Sequence, residues 1–312
     1  MGINIISTKN MPYREWLQYR RQGIGGSDAG AICGMSPYAS PITVWADKKG
    51  KLPEKPDNEA MRQGRDFEEI VARRFCELTG KRVRRHNFLI RHDTYPFMQA
   101  NVDRLVIGEK AGLECKTASP YSYDKWKDGK IPPHYELQCL HYLAVTGLDA
   151  WYIACIIYGT EFVVRKIERD EEKIKYLEEI EKDFWETNIL GDRAPEPDGT
   201  NAYDEVLKAW YPRDNGTPIE LNGFDERIDR IFELNSVIDN IDAEKKLIEQ
   251  EIKAYMQEAE RAESNNYRVT WKTEISNRID SIRLKKEQPE IYKKYLKQSE
   301  SRRFSIKNLQ EE

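Results

Sequence analysis

The chain has 312 residues, 39% hydrophobic and 33% charged, with 18 glycines and 14 prolines; this excludes collagen-like, low-complexity and wholly disordered classes and suggests about two domains at roughly 150 residues each. Its net charge of −4, from 50 basic and 54 acidic residues, decides nothing about nucleic acid, because a balanced total can hide segregated patches. No apolar run approaches the roughly 18 residues of a spanning helix, five cysteines lack a C-x-x-C pair and four histidines lack H-E-x-x-H, so membrane, disulfide-framework and zinc-hydrolase classes recede.

Residues 12–22 read as a helix, followed by the turn Gly23-Ile24-Gly25-Gly26-Ser27-Asp28, in which Ser27 or Asp28 can cap a short helix through Ile32. Pro37, Pro41, Pro53 and Pro56 punctuate the next stretch, around a short helix at 41–49. Over 59–79, Phe67, Ile70, Val71, Phe75 and Leu78 recur at helical spacing until Gly80 stops the run. Two extended segments follow at 82–91 and 97–107, then a strand at 112–117 and a helix at 134–147. The apolar, β-rich run 150–158 reads as a buried central strand. Gly159-Thr160 turns it into a hairpin with 161–167, before a helix at 170–188. This order predicts an α/β core at 1–190, a central mixed sheet flanked by helices.

Residues 191–223 read as a linker with one short helix near 203–210. Residues 224–312 form a mostly helical accessory region. Its first part, 224–263, has the spacing of one long helix and carries 6 basic against 12 acidic residues; 281–307 reverses this, with 9 basic against 3 acidic. That basic set, which includes Arg283, Lys285, Lys286, Lys293, Lys294 and Arg303, fits contacts with DNA phosphates and equally a solvated helix face. The strand-like 267–272 and 303–307 are expected to pair antiparallel around it.

The chemistry concentrates in Asp103 and Glu114-Cys115-Lys116. Glu114 and Lys116 alternate along one strand, so they share a face. Two carboxylates make a hard-oxygen site suited to Mg²⁺ or Mn²⁺, beside which a lysine can orient an attacking water. The same spacing also fits a surface aspartate and an exposed strand pair. The burial expected of this segment favours the site, since an unpaired charge there is costly. On the preceding helix, Glu68 lies beside the core face marked by Phe67 and Val71, close enough to reach inward. Gln138 and Tyr142 share one face of a later helix. The glycine turn at 25–27 offers backbone N–H groups to an anion, and Arg21 can grip a phosphate.

Taken together, Arg21-Gln22-Gly23-Ile24-Gly25-Gly26-Ser27-Asp28, Gly64-x-x-Phe67-Glu68, Asp103…Glu114-x-Lys116 and Gln138-x-x-x-Tyr142 resemble, in order, the motifs of YqaJ-like viral recombinases. These are relatives of phage lambda exonuclease in the PD-(D/E)xK nuclease superfamily, and the resemblance covers about residues 10–190. It implies a restriction-endonuclease-like core and a metal-dependent 5′-to-3′ exonuclease that leaves 3′ single-stranded tails on linear duplex DNA. Position by position, Asp103, Glu114 and the Cys115 carbonyl would ligate Mg²⁺ (or Mn²⁺), with Glu68 completing the shell. Lys116 would position the nucleophile, Gln138 would support the site, and Arg21, Ser27 and Asn101 would form the 5′-phosphate pocket. Val102 stands where the superfamily name has proline, and the Arg21-to-Ser27 spacing is one residue shorter than in the lambda enzyme. The resemblance further implies double-stranded DNA ends and a single-strand annealing protein as partners, a homo-oligomeric, trimeric ring, and a phage- or prophage-encoded protein in the cytoplasm of a bacterial host. The alternatives are a catalytically inactive DNA-end-binding or assembly factor, which would have lost an acid or the lysine, and an endonuclease of the same superfamily.

Overall fold

The computed structural model describes residues 5–53 and 58–309; Pro56, which entered the sequence reading, lies outside the described residues. The chain divides into two compact units, Met1–Pro212 and Arg213–Glu312.

The first unit opens with strand β1 (Ile5–Ser7), helix α1 (Tyr13–Arg21), the short β2 (Ile24–Gly25), α2 (Gly26–Ile32) and α3 (Pro41–Lys48). Helix α4 (Glu59–Thr79) begins where the Asn58 side chain accepts from the Met61 N–H and ends at Gly80 with φ 71°, a left-handed turn that glycine adopts freely. Its Val71, Ala72 and Phe75 are buried against the sheet.

The two extended segments expected at 82–91 and 97–107 each break. They become β3 (Val83–Arg85) and β4 (Phe88–Arg91), then β5 (Met98–Asn101) and β6 (Arg104–Val106). One half of each joins a different sheet: β4 and β5 pair with each other, while β3 pairs with β6. Asp103 therefore occupies the corner where the chain passes from one sheet to the other. The first sheet has the order β1-β4-β5-β2.

The second sheet has the order β3-β6-β7-β8-β9 and is mixed, because β7 (Ala111–Ala118) and β8 (Ala150–Ile157) run parallel. Parallel neighbours need a crossover, here α5 (Pro133–Thr146). Every residue of β8 is buried, as its unbroken apolar run requires. Strand β9 (Glu161–Glu168) returns antiparallel, followed by α6 (Glu171–Asp183) and a π-helical turn, Phe184–Leu190. Helices α5 and α4 thus cover opposite faces of the sheet, each over its own hydrophobic cluster. This is the expected mixed sheet flanked by helices.

The compact unit does not stop at residue 190. Helix α7 (Asn201–Trp210) buries Val206 in a third cluster with Ile42, Val44 and Trp45 of α3. Trp210 Nε1 donates to the Lys51 carbonyl at 3.0 Å, and the Trp45 and Trp210 rings meet edge to face at 5.8 Å. As far as Pro212, the segment expected as linker therefore belongs to the first compact unit.

In the second unit, α8 (Asp225–Met256) is shorter than the helix expected over 224–263. Gln257 has φ 48°, an unfavourable conformation for a side-chain-bearing residue, and the chain turns there into β10 (Arg261–Glu263). Strand β11 (Arg268–Thr270) pairs with β10, not with 303–307 as expected. The near segment wins because its loop is short and costs less entropy to close. Two short helices, α9 (Ser281–Glu287) and α10 (Pro289–Tyr295), complete a mostly helical extension.

Candidate active site

Alternation along β7 sends Ala111, Leu113 and Cys115 toward α4 and leaves Glu114 and Lys116 on the α5 face. The Lys116 Nζ donates to Glu114 Oε1 at 2.6 Å. From α5, Gln138 Nε2 donates to the same oxygen at 2.6 Å and to the Tyr142 hydroxyl oxygen at 2.8 Å. Glu114 Oε2 is buried without a hydrogen-bond partner. At the sheet corner, the Cys115 N–H donates to Asp103 Oδ2 at 2.9 Å. In an extended strand the N–H and C=O of one residue point to the same edge, so the Cys115 carbonyl is directed to Asp103 as well.

This grouping is electrostatically crowded. Burial, then the nearby charges of Glu114 and Glu68, push Asp103 well above the usual carboxylate range. Burial works against the Lys116 charge, but Glu114, Tyr135 and Asp103 together more than offset it, so the ammonium is held more firmly than usual. The Lys116 Nζ also lies 4.8 Å from the centre of the Tyr135 ring, within range of a cation–π contact.

Glu68 accepts a short hydrogen bond from Arg104 Nη1, whose Nη2 donates to Glu69 Oε2 at 3.0 Å. The Arg104 side chain is 4% exposed, and its Nη1 also donates to the Asp103 carbonyl at 2.9 Å. Glu68 is thus held beside the acids by an arginine rather than turned toward them. Sequence reasoning missed Arg104; its signal was a basic residue directly after Asp103 on the strand face that meets the Glu68-Glu69 pair. Among the described residues, no group of three or more acidic, histidine or cysteine side chains is gathered as a ready cation cage, because Lys116, Gln138 and Arg104 occupy the carboxylates. The donor set still fits a hard divalent cation: two crowded carboxylates, one with a bare oxygen, and a backbone carbonyl aimed alongside.

A chain of contacts joins this cluster to the glycine turn. A Cβ on Gly26 would lie 2.5 Å from Tyr142 Cε1, so only glycine lets the start of α2 rest on that ring. On the other side, the Tyr142 ring packs tilted against Trp151 at 4.9 Å, and a Cβ on Gly112 would lie 2.3 Å from the Trp151 ring.

The structure does not gather the expected set of Arg21, Ser27 and Asn101. Arg20, not Arg21, faces Ser27: Arg20 Nη2 donates to Ser27 Oγ at 3.1 Å and to Asp28 Oδ1 at 3.0 Å. Arg21 is turned to Asp47, with Nε 3.5 Å from Oδ1, because neighbours on a helix project about 100° apart. Lys48, whose side chain is wholly buried, donates to Asp28 Oδ2 at 2.7 Å. Burial alone pushes Asp28 up, but Lys48 and Arg20 hold it well below the usual carboxylate range. The Gly25 N–H is spent on Asp28 Oδ2 at 2.9 Å, so the turn offers an anion less than expected, and Arg20 is itself paired with Asp28. A cavity of about 380 Å³ opens here, lined by Tyr13, Trp16, Arg20, Arg21 and Ser27 among others. Asn101 stands exposed at the end of β5 in register with Leu89, with no side-chain hydrogen bond to Arg20, Arg21 or Ser27 among the described residues.

A smaller cavity of about 200 Å³ lies past the end of β7, between Thr117, Ser122, Lys125, His134 and Tyr135. Burial, then Lys116 and Lys125, lower His134 to about 4, and its Nε2 is buried without a partner.

A family model described as the YqaJ-like viral recombinase domain matches residues 15–149. Over 310 residues the chain is 40% identical to the "Uncharacterized protein YqaJ" of Bacillus subtilis (strain 168), covering 98% of this chain and 97% of that one. Among solved structures, the alkaline exonuclease LHK-Exo of Laribacter hongkongensis superposes with a TM-score of 0.49 at 22% identity, over 57% of this chain and 93% of its own. A phage related exonuclease from Haemophilus somnus 129PT gives a TM-score of 0.44 at 13% identity, over 57% of this chain and 100% of its own.

Proposed function

We propose, from the premise that the chain belongs to the YqaJ-like viral recombinase family, that it is a metal-dependent 5′-to-3′ exonuclease. It digests one strand of linear duplex DNA and leaves 3′ single-stranded tails. The observation that carries this reading is the buried Glu114–Lys116 pair with Asp103 at its side. Such an arrangement serves no structural need that an apolar pair would not meet more cheaply.

Asp103, Glu114 and the Cys115 carbonyl would hold Mg²⁺ or Mn²⁺, with Glu68 reaching in from its bond to Arg104. When bound, such an ion neutralises phosphate charge and lowers the pKa of a coordinated water. The protein's own groups then divide the work. Lys116 orients the attacking water with its ammonium, which Glu114 holds charged. Gln138 fixes Glu114, and Tyr142 in turn receives from Gln138. Arg20 and Ser27 take the 5′ phosphate, and this end-recognition favours an exonuclease over an endonuclease. A catalytically inactive end-binding factor would have no reason to keep both acids and the lysine together.

The tails would be passed to a single-strand annealing protein, and a closed homo-oligomeric ring would keep the enzyme on its strand. The test is a linear duplex labelled at either the 5′ or the 3′ end, digested with and without Mg²⁺ and resolved under denaturing conditions. The 5′ label should appear at once as mononucleotide only with the metal. Internal fragments, or first release from the 3′ end, would refute the reading.

A further inference from the structure

The densest basic stretch of the first unit was not singled out by its motifs. Residues 81–92 hold Lys81, Arg82, Arg84, Arg85 and Arg91 and no acidic residue, in a chain of net charge −4. Its first half runs along β3, the terminal strand of the five-stranded sheet, whose outer edge is unpaired among the described residues.

The register fixes where these arginines point. Arg84 pairs with Leu105, and Leu105 with Gly112. Glu114 lies two residues beyond Gly112 on β7, and Asp103 two residues before Leu105. Side chains alternate along strands, so Arg84 projects from the same face of the sheet as Asp103 and Glu114. Arg82 continues that row, its carbonyl still accepting from the Ile107 N–H at 2.8 Å. With strands about 4.8 Å apart and a rise of about 3.4 Å per residue, Arg84 stands about 12 Å from Glu114 along the backbone surface.

Partners separate this pair from the rest of the stretch. Lys81 is bound to Glu109 and Arg85 to Glu69, while Arg91 lies on β4 of the other sheet and donates to Gln22 Oε1 at 3.0 Å. Arg82 and Arg84 are exposed and have no carboxylate partner among the described residues. Two uncommitted guanidinium groups in one row, on the face of the acid cluster, match a polyanion laid across the sheet edge. A separation of about 12 Å corresponds to about three to four nucleotides at about 3.4 Å of axial rise per strand.

We propose that Arg82 and Arg84 form a phosphate-binding rail that carries the DNA duplex to the Asp103–Glu114 site. The inference rests on the nuclease reading above and adds to it the path of the substrate. Charged residues on an edge strand also serve to block sheet-to-sheet pairing, and the experiment separates the two roles.

A fluorescent 30-base-pair duplex is titrated with the full-length protein in chelator, so that nothing is cut, at salt from 50 to 200 mM. Each lost phosphate contact lowers the slope of log affinity against log salt by about 0.9. The double variant Arg82→Gln/Arg84→Gln should therefore show a slope smaller by about 1.8, and its affinity should fall about 12-fold less than wild type over that fourfold salt range. Arg82→Lys/Arg84→Lys should keep the wild-type slope, which a purely local fault in folding would not allow. Lys208→Gln on α7 should leave the slope unchanged. A double glutamine variant with the wild-type slope overturns the rail while leaving the nuclease reading standing. A wild-type protein that binds no duplex at any of these salt concentrations overturns both.

Discussion

Replacing Gly26 with alanine tests whether the start of α2 is seated on α5, the helix that carries Gln138 and Tyr142. The added Cβ would lie 2.5 Å from Cε1, 2.8 Å from Cζ and 3.1 Å from Cδ1 of Tyr142, so something must move by close to an ångström. The ring cannot retreat easily, because Trp151 is fully buried behind it and fits against Gly112. Helix α2 cannot retreat easily either, since Lys48 and Arg20 anchor Asp28. Overpacking of this kind costs about 1–3 kcal/mol, which is about 2–12 °C in Tm at about 2–4 °C per kcal/mol for a unit of this size. Tyr142 is also the acceptor for Gln138, so displacement should lower kcat. Gly64→Ala is the matched comparison: its Cβ would meet nothing within 4 Å in the middle of α4, so it should gain about 0.5–1 kcal/mol from helix propensity. Thermal melts and steady-state cleavage of the two variants decide the matter. If Gly26→Ala melts and cuts like wild type, the chain of contacts from the glycine turn to Glu114 is wrong.

Three further outcomes follow from the same geometry. Arg20→Ala should erase the preference for a 5′-phosphorylated end over a 5′-hydroxyl end in single-turnover rates, whereas Arg21→Ala should leave it largely in place; the opposite pattern would restore Arg21 to the pocket. Because His134 is lowered to about 4 when folded, against about 6.5 when unfolded, its contribution to stability is complete above pH 6.5 and is lost as the pH falls toward 4. The loss, discounted for its half-exposed position, is about 1 kcal/mol, and His134→Gln should flatten that part of a urea-midpoint-against-pH curve. Truncation after Pro212 should leave a folded, metal-dependent nuclease, while truncation after Asn188 should expose the Val206 and Trp210 contact surface and lower Tm by several degrees.

Much of the site was legible because its signals are local. Alternation alone placed Glu114 and Lys116 on one face, and the spacing of Gln138 and Tyr142 placed both on one side of α5. The run from Phe67 to Gly80 likewise marked α4 and its end. What was not legible depends on partners far away in sequence. Nothing near residues 86 and 102 announces that each extended segment will change sheets, since both halves carry the same strand-like composition. Helix α7 looks like part of a linker until Lys51 and Trp45, about 160 residues earlier, are seen to receive Trp210. The choice between Arg20 and Arg21 turns on the rotational phase of α1, which two consecutive arginines leave undetermined. Arg104 was hidden for the opposite reason: an arginine beside an aspartate reads as surface until the Glu68-Glu69 pair closes over it.

The claim at the centre of the account is that β7 separates two tasks, with Glu114 holding a divalent ion and Lys116 serving the nucleophile. Mn²⁺ binding by calorimetry, measured beside Mg²⁺-dependent duplex cleavage in Glu114→Gln and Lys116→Ala, tests it most directly. Glu114→Gln should lose both binding and cleavage, and Lys116→Ala should lose cleavage while still binding the metal. Retention of more than a few per cent of cleavage by either variant, or unchanged metal binding in Glu114→Gln, would contradict it.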